Sequence, residues 1–236
     1  MAELFEAIPK TVLAVYAHPD DADVACGGAL ARWRRQGSEV YVVLAAEGDK
    51  GTPDPALPPE ELVARRAGEV QRAAAALGLD PPARLGYADG EVGDDPGLRA
   101  RLVEWIRRIR PDVVLTHDPT AVFFGEDYYN HRDHRSLGFA VLDASSPAAA
   151  LPHYFPAAGP PHQVKQVLLS GTLQPSVWVD IEDDVAAKVA AVACHASQFA
   201  DGGSWVIQAV RRRAEEEGRR AGLTLAEGFR RLRLGG

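Results

Sequence analysis

The sequence predicts an α/β domain whose mainly parallel sheet is flanked by helices. Short apolar, β-branched segments alternate with longer segments of helical periodicity, as strands do when crossover helices join them. The chain has 236 residues, enough to bury one sizeable core. Neither an internal repeat nor a linker divides it. We therefore expect a single domain over residues 1–236, ending in a helical tail over about 204–236.

The first elements follow one another regularly. Residues 11–17 are apolar and too few for a helix, which is typical of a strand buried on both faces of a parallel sheet. A helix over about 22–36 and a strand over 39–47 follow. The Ala-rich segment 60–78 predicts a long helix that ends at Gly78, a residue that favours helix termination.

The alternation continues through the rest of the chain. We expect strands at 83–87, 112–117, 163–170 and 176–181, and helices at 97–109, from about 131 through 142, at 183–197 and from 205 onward. Irregular segments at 48–59, 118–130 and 147–161 interrupt the pattern. The first two follow strands, at the edge of the sheet where ligands usually bind.

Composition excludes several classes of protein. The net charge of −7 argues against binding nucleic acid over a broad face. The two cysteines form no motif for a disulfide framework or a thiolate zinc site. No apolar segment approaches the roughly 20 residues of a membrane-spanning helix, and the N-terminus lacks the pattern of a signal peptide. We therefore expect a cytoplasmic protein without stable membrane insertion.

Two short polar motifs follow strands of the predicted sheet. The sequence HPDD at 18–21 comes directly after the first strand, and HRDH at 131–134 follows the strand 112–117 and a loop. His131 and His134 are three residues apart, so they share one face if a helix begins there. Because parallel strands end at the same edge of a sheet, we expect the two motifs to converge.

The residue types in these motifs indicate a catalytic metal site. Imidazole and carboxylate ligands suit a divalent ion such as zinc, with three protein ligands and an open position for water. A neighbouring carboxylate takes a proton from that water, and an imidazole stabilises the oxyanion or protonates the leaving group. Each motif alone also has a structural explanation, a capped turn for HPDD and a solvated helix start for HRDH. Their joint occurrence favours the site.

The two motifs also resemble those of a known family. The segment AHPDDADVACGG at 17–28, together with HRDH at 131–134, is similar to the zinc-dependent de-N-acetylases of the LmbE-like (PIG-L) group. That group includes the phosphatidylinositol N-acetylglucosamine deacetylase and the deacetylases of mycothiol and bacillithiol synthesis. RAGE at 66–69, GYADGEV at 86–92 and HASQ at 195–198 extend the resemblance over nearly the whole chain.

The resemblance implies a fold, a reaction and an assembly. The fold is a Rossmann-like LmbE domain, and the reaction removes an N-acetyl group from an N-acetylglucosamine-type conjugate, giving acetate and a free amine. The partner is then a small amino-sugar substrate, and the chain forms a homo-oligomer, a trimer or a hexamer. Two alternatives remain open from the residues: a metal hydrolase acting on another amide or an ester, and a non-catalytic module that binds a sugar or a nucleotide.

The resemblance also assigns the central residues. It makes His18, Asp21 and His134 the ligands of one Zn²⁺ per chain, and Asp20 the general base that activates water. His131 is then the electrophilic or acidic partner. One departure from the usual second motif is Arg132, which stands where relatives often have proline.

Three further residues are assigned to the substrate by resemblance. Arg66 matches a substrate-binding arginine, Asp89 lies in an Asp-Gly loop suited to sugar hydroxyls, and His195 matches a late histidine that reaches the active site in some relatives. Arg66 is also explained by an ion pair on a helix surface, and His195 by packing in the core. His117, at the end of a strand, is a candidate for supporting a metal ligand.

Overall fold

The computed structural model describes residues 2–93, 95–199 and 204–234. The strands are β1 Thr11–Tyr16, β2 Glu39–Ala46, β3 Ala83–Tyr87, β4 Val113–His117, β5 Phe123–Phe124, β6 Tyr128–Tyr129, β7 Gln166–Ser170, β8 Val177–Asp180 and β9 Ala226–Arg233. The α-helices are α1 Asp21–Arg35, α2 Pro59–Ala76, α3 Pro96–Ile109, α4 Arg132–Asp143, α5 Val185–Ala193 and α6 Ser204–Ala221.

Seven of these strands form one twisted sheet in the order β3-β2-β1-β4-β7-β9-β8. The first five in this order are mutually parallel, whereas β9 is antiparallel to both of its neighbours. β1 lies at the centre of the parallel part and every one of its residues is buried, as expected for a strand covered on both faces. The predicted α/β class is therefore confirmed.

The C-terminal segment corrects one prediction. We expected a helical tail to the end of the chain, but α6 ends at Ala221 and Gly222 follows with φ of +73°. Residues 226–233 then form β9, which is inserted between β7 and β8. Their Ala, Glu, Arg and Leu composition favours a helix, but pairing with two strands and burial of Phe229 outweigh that local preference. Residues 235–236 lie outside the described part of the chain.

Apolar side chains fill both faces of the sheet. One face packs against α1 and α5, with Leu30 and Trp33 fully buried, and the other packs against α3 and α4, with Leu102 and Leu137 fully buried. α1 comes so close to the end of β8 that a Cβ on Gly28 would lie 2.8 Å from Ile181 Cδ1. Glycine is required there by this close approach.

A buried arginine organises the irregular segment after α4. The guanidinium of Arg107, on α3, lies within 3.1 Å of six backbone carbonyl oxygens between residues 148 and 159. The Arg107 guanidinium therefore supplies hydrogen bonds to backbone carbonyls that would otherwise have to bond to water. Within the described ranges, no helix combines the length and the apolar character needed to cross a membrane.

Candidate metal centre

The fold brings the two polar motifs together at one edge of the sheet. HPDD follows β1, and HRDH lies at the start of α4, which follows β4 and the small β5–β6 hairpin. β1 and β4 are neighbouring parallel strands, so the segments that follow them leave the sheet at the same edge. His131 lies immediately before α4 and its Nδ1 accepts the Asp133 backbone N–H at 3.2 Å, which caps the helix.

Three side chains offer ligand atoms in a compact triangle. His18 Nδ1 lies 3.2 Å from Asp21 Oδ2 and 3.2 Å from His134 Nε2, and His134 Nε2 lies 3.2 Å from Asp21 Oδ1. Zinc ligands at about 2.0–2.1 Å in a tetrahedral site are about 3.3 Å apart. The spacing of the two ring nitrogens, each beside one Asp21 oxygen, is therefore close to that of ligands in such a site.

The outer nitrogens of both histidines are held by acceptors. His18 Nε2 lies 3.1 Å from Asp89 Oδ1, and His134 Nδ1 lies 3.0 Å from Asn130 Oδ1. If each outer nitrogen donates its proton to that oxygen, His18 Nδ1 and His134 Nε2 both present lone pairs to the centre of the triangle. Oriented imidazoles of this kind are typical of metal sites.

The charge of the cluster also favours a cation. Burial by itself lowers the pKa of His18, but surrounding carboxylates raise it to about 12, namely those of Asp21, Asp133 and Asp89. Burial raises the pKa of Asp21, but the neighbouring imidazoles, His134 foremost, outweigh it and hold that pKa well below its ordinary value. Three carboxylates, those of Asp21, Asp89 and Asp133, surround His18, and a divalent ion would offset their negative charge.

His117 contacts this cluster through the ring of His134. Its ring stacks on that of His134, with 4.0 Å between centroids and an interplanar angle of 7°. Its Nε2 accepts the Ala17 backbone N–H at 3.1 Å. Burial, and then the charge of His134, lower the pKa of His117 to about 4, so the ring is neutral. The same side chains allow other ligand sets, one of which combines His117 with Asp21 and His134.

Asp20 is held by a buried cation. Arg66, on α2, donates from Nη2 to Asp20 Oδ1 at 2.9 Å and from Nη1 to the Gly48 carbonyl oxygen at 3.2 Å. The Arg66 side chain is only 3% exposed, whereas that of Asp20 is 20% exposed. The ion pair of Arg66 is thus not on the surface, and Arg66 bonds to Asp20, the predicted general base, from its buried side.

Asp89 and His131 lie on the other side of His18. Asp89 Oδ1 is 3.7 Å from His131 Nε2, and the rings of His18 and His131 meet edge to face at 4.7 Å. Burial, followed by the charge of His18, lowers the pKa of His131 below its ordinary value. His131 is 40% exposed, and because its Nδ1 accepts a backbone N–H, the neutral ring carries its proton on Nε2.

The structure buries His195 in the core against Asp23. Its side chain is completely buried, and Nε2 lies 2.7 Å from Asp23 Oδ2. This is the core packing that the sequence left as the alternative. Neither His195 nor Arg66 borders the cavity at the site, so substrate contact for these two residues stays a prediction that their burial does not support.

Two contributing residues were missed in the sequence. Asp133 is fully buried and accepts the backbone N–H groups of Gly90 and Val92 at 2.7 and 3.2 Å, while Oδ2 lies 3.4 Å from His18 Nε2. Asn130 orients His134, as described above. Asp133 lies inside HRDH and Asn130 directly precedes it, so position in the motif was the available signal.

A cavity of about 550 Å³ borders the cluster. Asp20, Asp21, His117 and His134 are among its lining residues, together with residues of α6 and β9. Cavities of this size bury drug-sized ligands in other proteins. The cluster therefore combines nitrogen and oxygen ligands, a partly exposed carboxylate and imidazole, and room for a substrate, which defines an α/β protein with a hydrolase-type metal site.

Comparison with known proteins identifies the family. Residues 13–145 match the PIG-L family, described as GlcNAc-PI de-N-acetylase. The diacetylchitobiose deacetylase of Thermococcus kodakarensis is 34% identical over 194 residues, which are 80% of this chain and 70% of that protein. The chain belongs to the PIG-L family, and this confirms the deacetylase class that the motifs predict.

Two further comparisons agree, and one limits what the fold implies. The 1D-myo-inositol 2-acetamido-2-deoxy-alpha-D-glucopyranoside deacetylase of Segniliparus rotundus is 31% identical, covering 79% of this chain and 76% of that protein. The N,N'-diacetylchitobiose deacetylase of Pyrococcus horikoshii, solved with its inhibitor MPG, superposes with a TM-score of 0.86 at 30% identity, covering 95% of this chain and 84% of that one. GalB, a 4-carboxy-2-hydroxymuconate hydratase of Pseudomonas putida KT2440, shares the fold with a TM-score of 0.78 at 23% identity, covering 94% and 96%, so the fold alone does not determine the reaction.

Proposed function

We propose that this chain is a zinc-dependent hydrolase that removes the N-acetyl group from an N-acetylglucosamine-type conjugate. The observation that carries the proposal is that His18 Nδ1 and His134 Nε2 lie 3.2 Å apart and that each lies 3.2 Å from one of the two carboxylate oxygens of Asp21. The deacetylase relatives support the choice of an N-acetyl amide of an amino sugar as the substrate.

His18, Asp21 and His134 would hold one Zn²⁺ per chain. When bound there, the ion supplies Lewis-acid activation of an amide carbonyl and of water. The donor set of two imidazoles and one carboxylate, with no thiolate, matches that of many catalytic zinc sites. Asp89 and Asn130 would keep the two imidazoles in the tautomers that this role requires.

Asp20 is proposed as the general base. Its Oδ1 is held by Arg66, which leaves Oδ2 to accept a proton from the attacking water. Arg66 is then proposed as a positioning residue, because it fixes the carboxylate of Asp20 from a buried position. A carboxylate locked in one orientation loses little further freedom when it takes the proton.

His131 is proposed to stabilise the oxyanion. With its proton on Nε2 and 40% of its side chain exposed, it offers a hydrogen-bond donor at the edge of the site. When the C–N bond breaks, Asp20 or His131 delivers a proton to the departing nitrogen. The products are acetate and the free amine, so one water is consumed for each amide. Asp89, beside His131, is proposed to contact sugar hydroxyls.

Two variants separate metal binding from catalysis. Asp20→Asn should retain about one zinc per chain and lose roughly 10²- to 10⁴-fold in kcat, the usual contribution of a general base. His134→Ala should lose the metal and the activity together. His153→Ala removes an exposed histidine outside the site and serves as the control.

Metal content measured by mass spectrometry and acetate release from N,N'-diacetylchitobiose would be compared across the four proteins. Equal zinc content and equal turnover in all of them would refute the assignment. The predicted homo-oligomer, a trimer or a hexamer, is checked on the same samples by light scattering after size-exclusion chromatography.

A further inference from the structure

The cavity beside the metal centre has a chemistry different from that of the proposed sugar site. Along α1 and α6 it is walled by Val24, Ala25, Val206, Ala209 and Val210. Two of these, Val206 and Val210, belong to a small apolar cluster with Val192 and Phe199, separate from the two main cores. A wall of this kind binds aliphatic groups and gives a sugar ring few polar partners.

Three of the charged residues that border the cavity have partners, whereas Arg213 on α6 is an exposed cation among the lining residues. Lys188 Nζ lies 2.5 Å from Glu227 Oε1, and both side chains are 5% exposed. Glu217 Oε2 accepts the indole N–H of Trp178 at 2.8 Å. Lys188, Glu217 and Glu227 therefore have polar partners, and a ligand in the cavity would contact mainly the apolar wall, with Arg213 as an additional cation.

The cavity is much longer than an acetyl group. Its lining residues on α6 run from Trp205 to Glu217, a rise of about 18 Å along the helix. It meets the metal centre at Asp20, Asp21 and His134, whereas Asp89 and His131 are not among its lining residues. The centre therefore lies between a polar side and an apolar side.

An amide at this centre extends in two directions from its carbonyl carbon. If the amino sugar lies on the side of Asp89 and His131, the acyl group points to the opposite side. We infer that the cavity is an acyl subsite, and that this chain hydrolyses N-acyl amino sugars with chains of about four to eight carbons as well as N-acetyl ones. This inference rests on the proposed function.

The reaction is the same hydrolysis with a longer acyl group. Water adds its oxygen to the acyl carbon, the C–N bond breaks, and the nitrogen leaves as the amine with a proton, giving a fatty carboxylate. Each methylene that the cavity buries contributes up to about fourfold to binding. The gain should therefore appear mainly as a lower KM for the longer chain.

The test compares N-acetyl-, N-butanoyl- and N-hexanoylglucosamine with the zinc-loaded enzyme, following release of the free amine. Ala209→Phe fills the cavity from α6, and Gln208→Phe, an exposed neighbour on the same helix outside the cavity, is the matched control. Wild type should hydrolyse the hexanoyl compound with kcat/KM within tenfold of the acetyl compound, or better. Ala209→Phe should lower the hexanoyl value at least tenfold and the acetyl value less than threefold, and Gln208→Phe should change neither.

Other results would overturn the inference. Hexanoyl turnover below about a hundredth of acetyl turnover in wild type would exclude an acyl subsite, and so would an equal loss for both substrates in Ala209→Phe. The octyl glycoside of N-acetylglucosamine provides a further arm: if Ala209→Phe impairs this compound selectively, the cavity holds an apolar aglycone instead. Failure to hydrolyse even the acetyl compound would refute the proposed function, and the acyl assignment with it.

Discussion

Replacing Asp133 by asparagine tests how the buried carboxylate supports the metal centre. Asp133 accepts two backbone N–H groups, from Gly90 and Val92, and approaches His18 Nε2. Asparagine keeps one acceptor oxygen but presents an NH₂ group where the second oxygen was, so one buried N–H loses its acceptor. A hydrogen bond to a charged group contributes about 1.5–3 kcal/mol, and an unsatisfied buried donor costs about 1–3 kcal/mol.

We therefore expect Asp133→Asn to lower the free energy of unfolding by about 2–4 kcal/mol. Because the same carboxylate stands behind His18, metal affinity should fall about 10- to 100-fold. Urea denaturation of the metal-free protein measures the first effect, and competition with a chelating dye measures the second. Asp143→Asn, at the exposed end of the same helix, is the control. A loss of stability below about 0.5 kcal/mol with unchanged metal affinity would show that Asp133 supports neither the loop at Gly90 nor His18.

Three further predictions concern the fold. Arg107→Met removes the donor of six backbone carbonyls and should lower the free energy of unfolding by about 3–5 kcal/mol, which corresponds to a fall in Tm of about 6–20 °C. A smaller fall in Tm would mean that water replaces the guanidinium. Gly28→Ala should lower the free energy of unfolding, measured by urea denaturation, by about 1–3 kcal/mol, because the new Cβ would lie 2.8 Å from Ile181. Adding Ile181→Val should restore part of that free energy, and no loss in Gly28→Ala alone would show that the contact relaxes freely. Lys188→Met leaves Glu227 buried without its cation and should cost about 3–5 kcal/mol, whereas a neutral effect would show that the backbone N–H groups of Gly28 and Ala29 suffice for the carboxylate.

The parallel part of the fold was predictable because its signals are local. β1 and β2 are apolar runs too short for helices, and the helices between them show clear periodicity, so their bounds agree with the structure within a few residues. β9 was not predictable in this way. Its residues prefer a helix, and only the unpaired edges of β7 and β8, far away in sequence, select the extended form.

The candidate site likewise has features that could be predicted from the sequence and features that could not. Convergence of His18 and His134 follows from two motifs at the ends of neighbouring parallel strands, and it was expected. The burial of Arg66 behind Asp20 was not, because the side chain's direction depends on how α2 packs. The group of carboxylates around His18 also includes Asp133, and the burial of that side chain is known only from the three-dimensional structure.

Metal stoichiometry decides whether His18, Asp21 and His134 form the metal site of a deacetylase. Wild type and His134→Ala would be purified identically, without an affinity tag, and analysed for zinc by mass spectrometry before and after dialysis against added zinc. We predict about one zinc per chain in wild type and a loss of most of it in the variant. Wild type that neither contains nor takes up zinc would contradict the account.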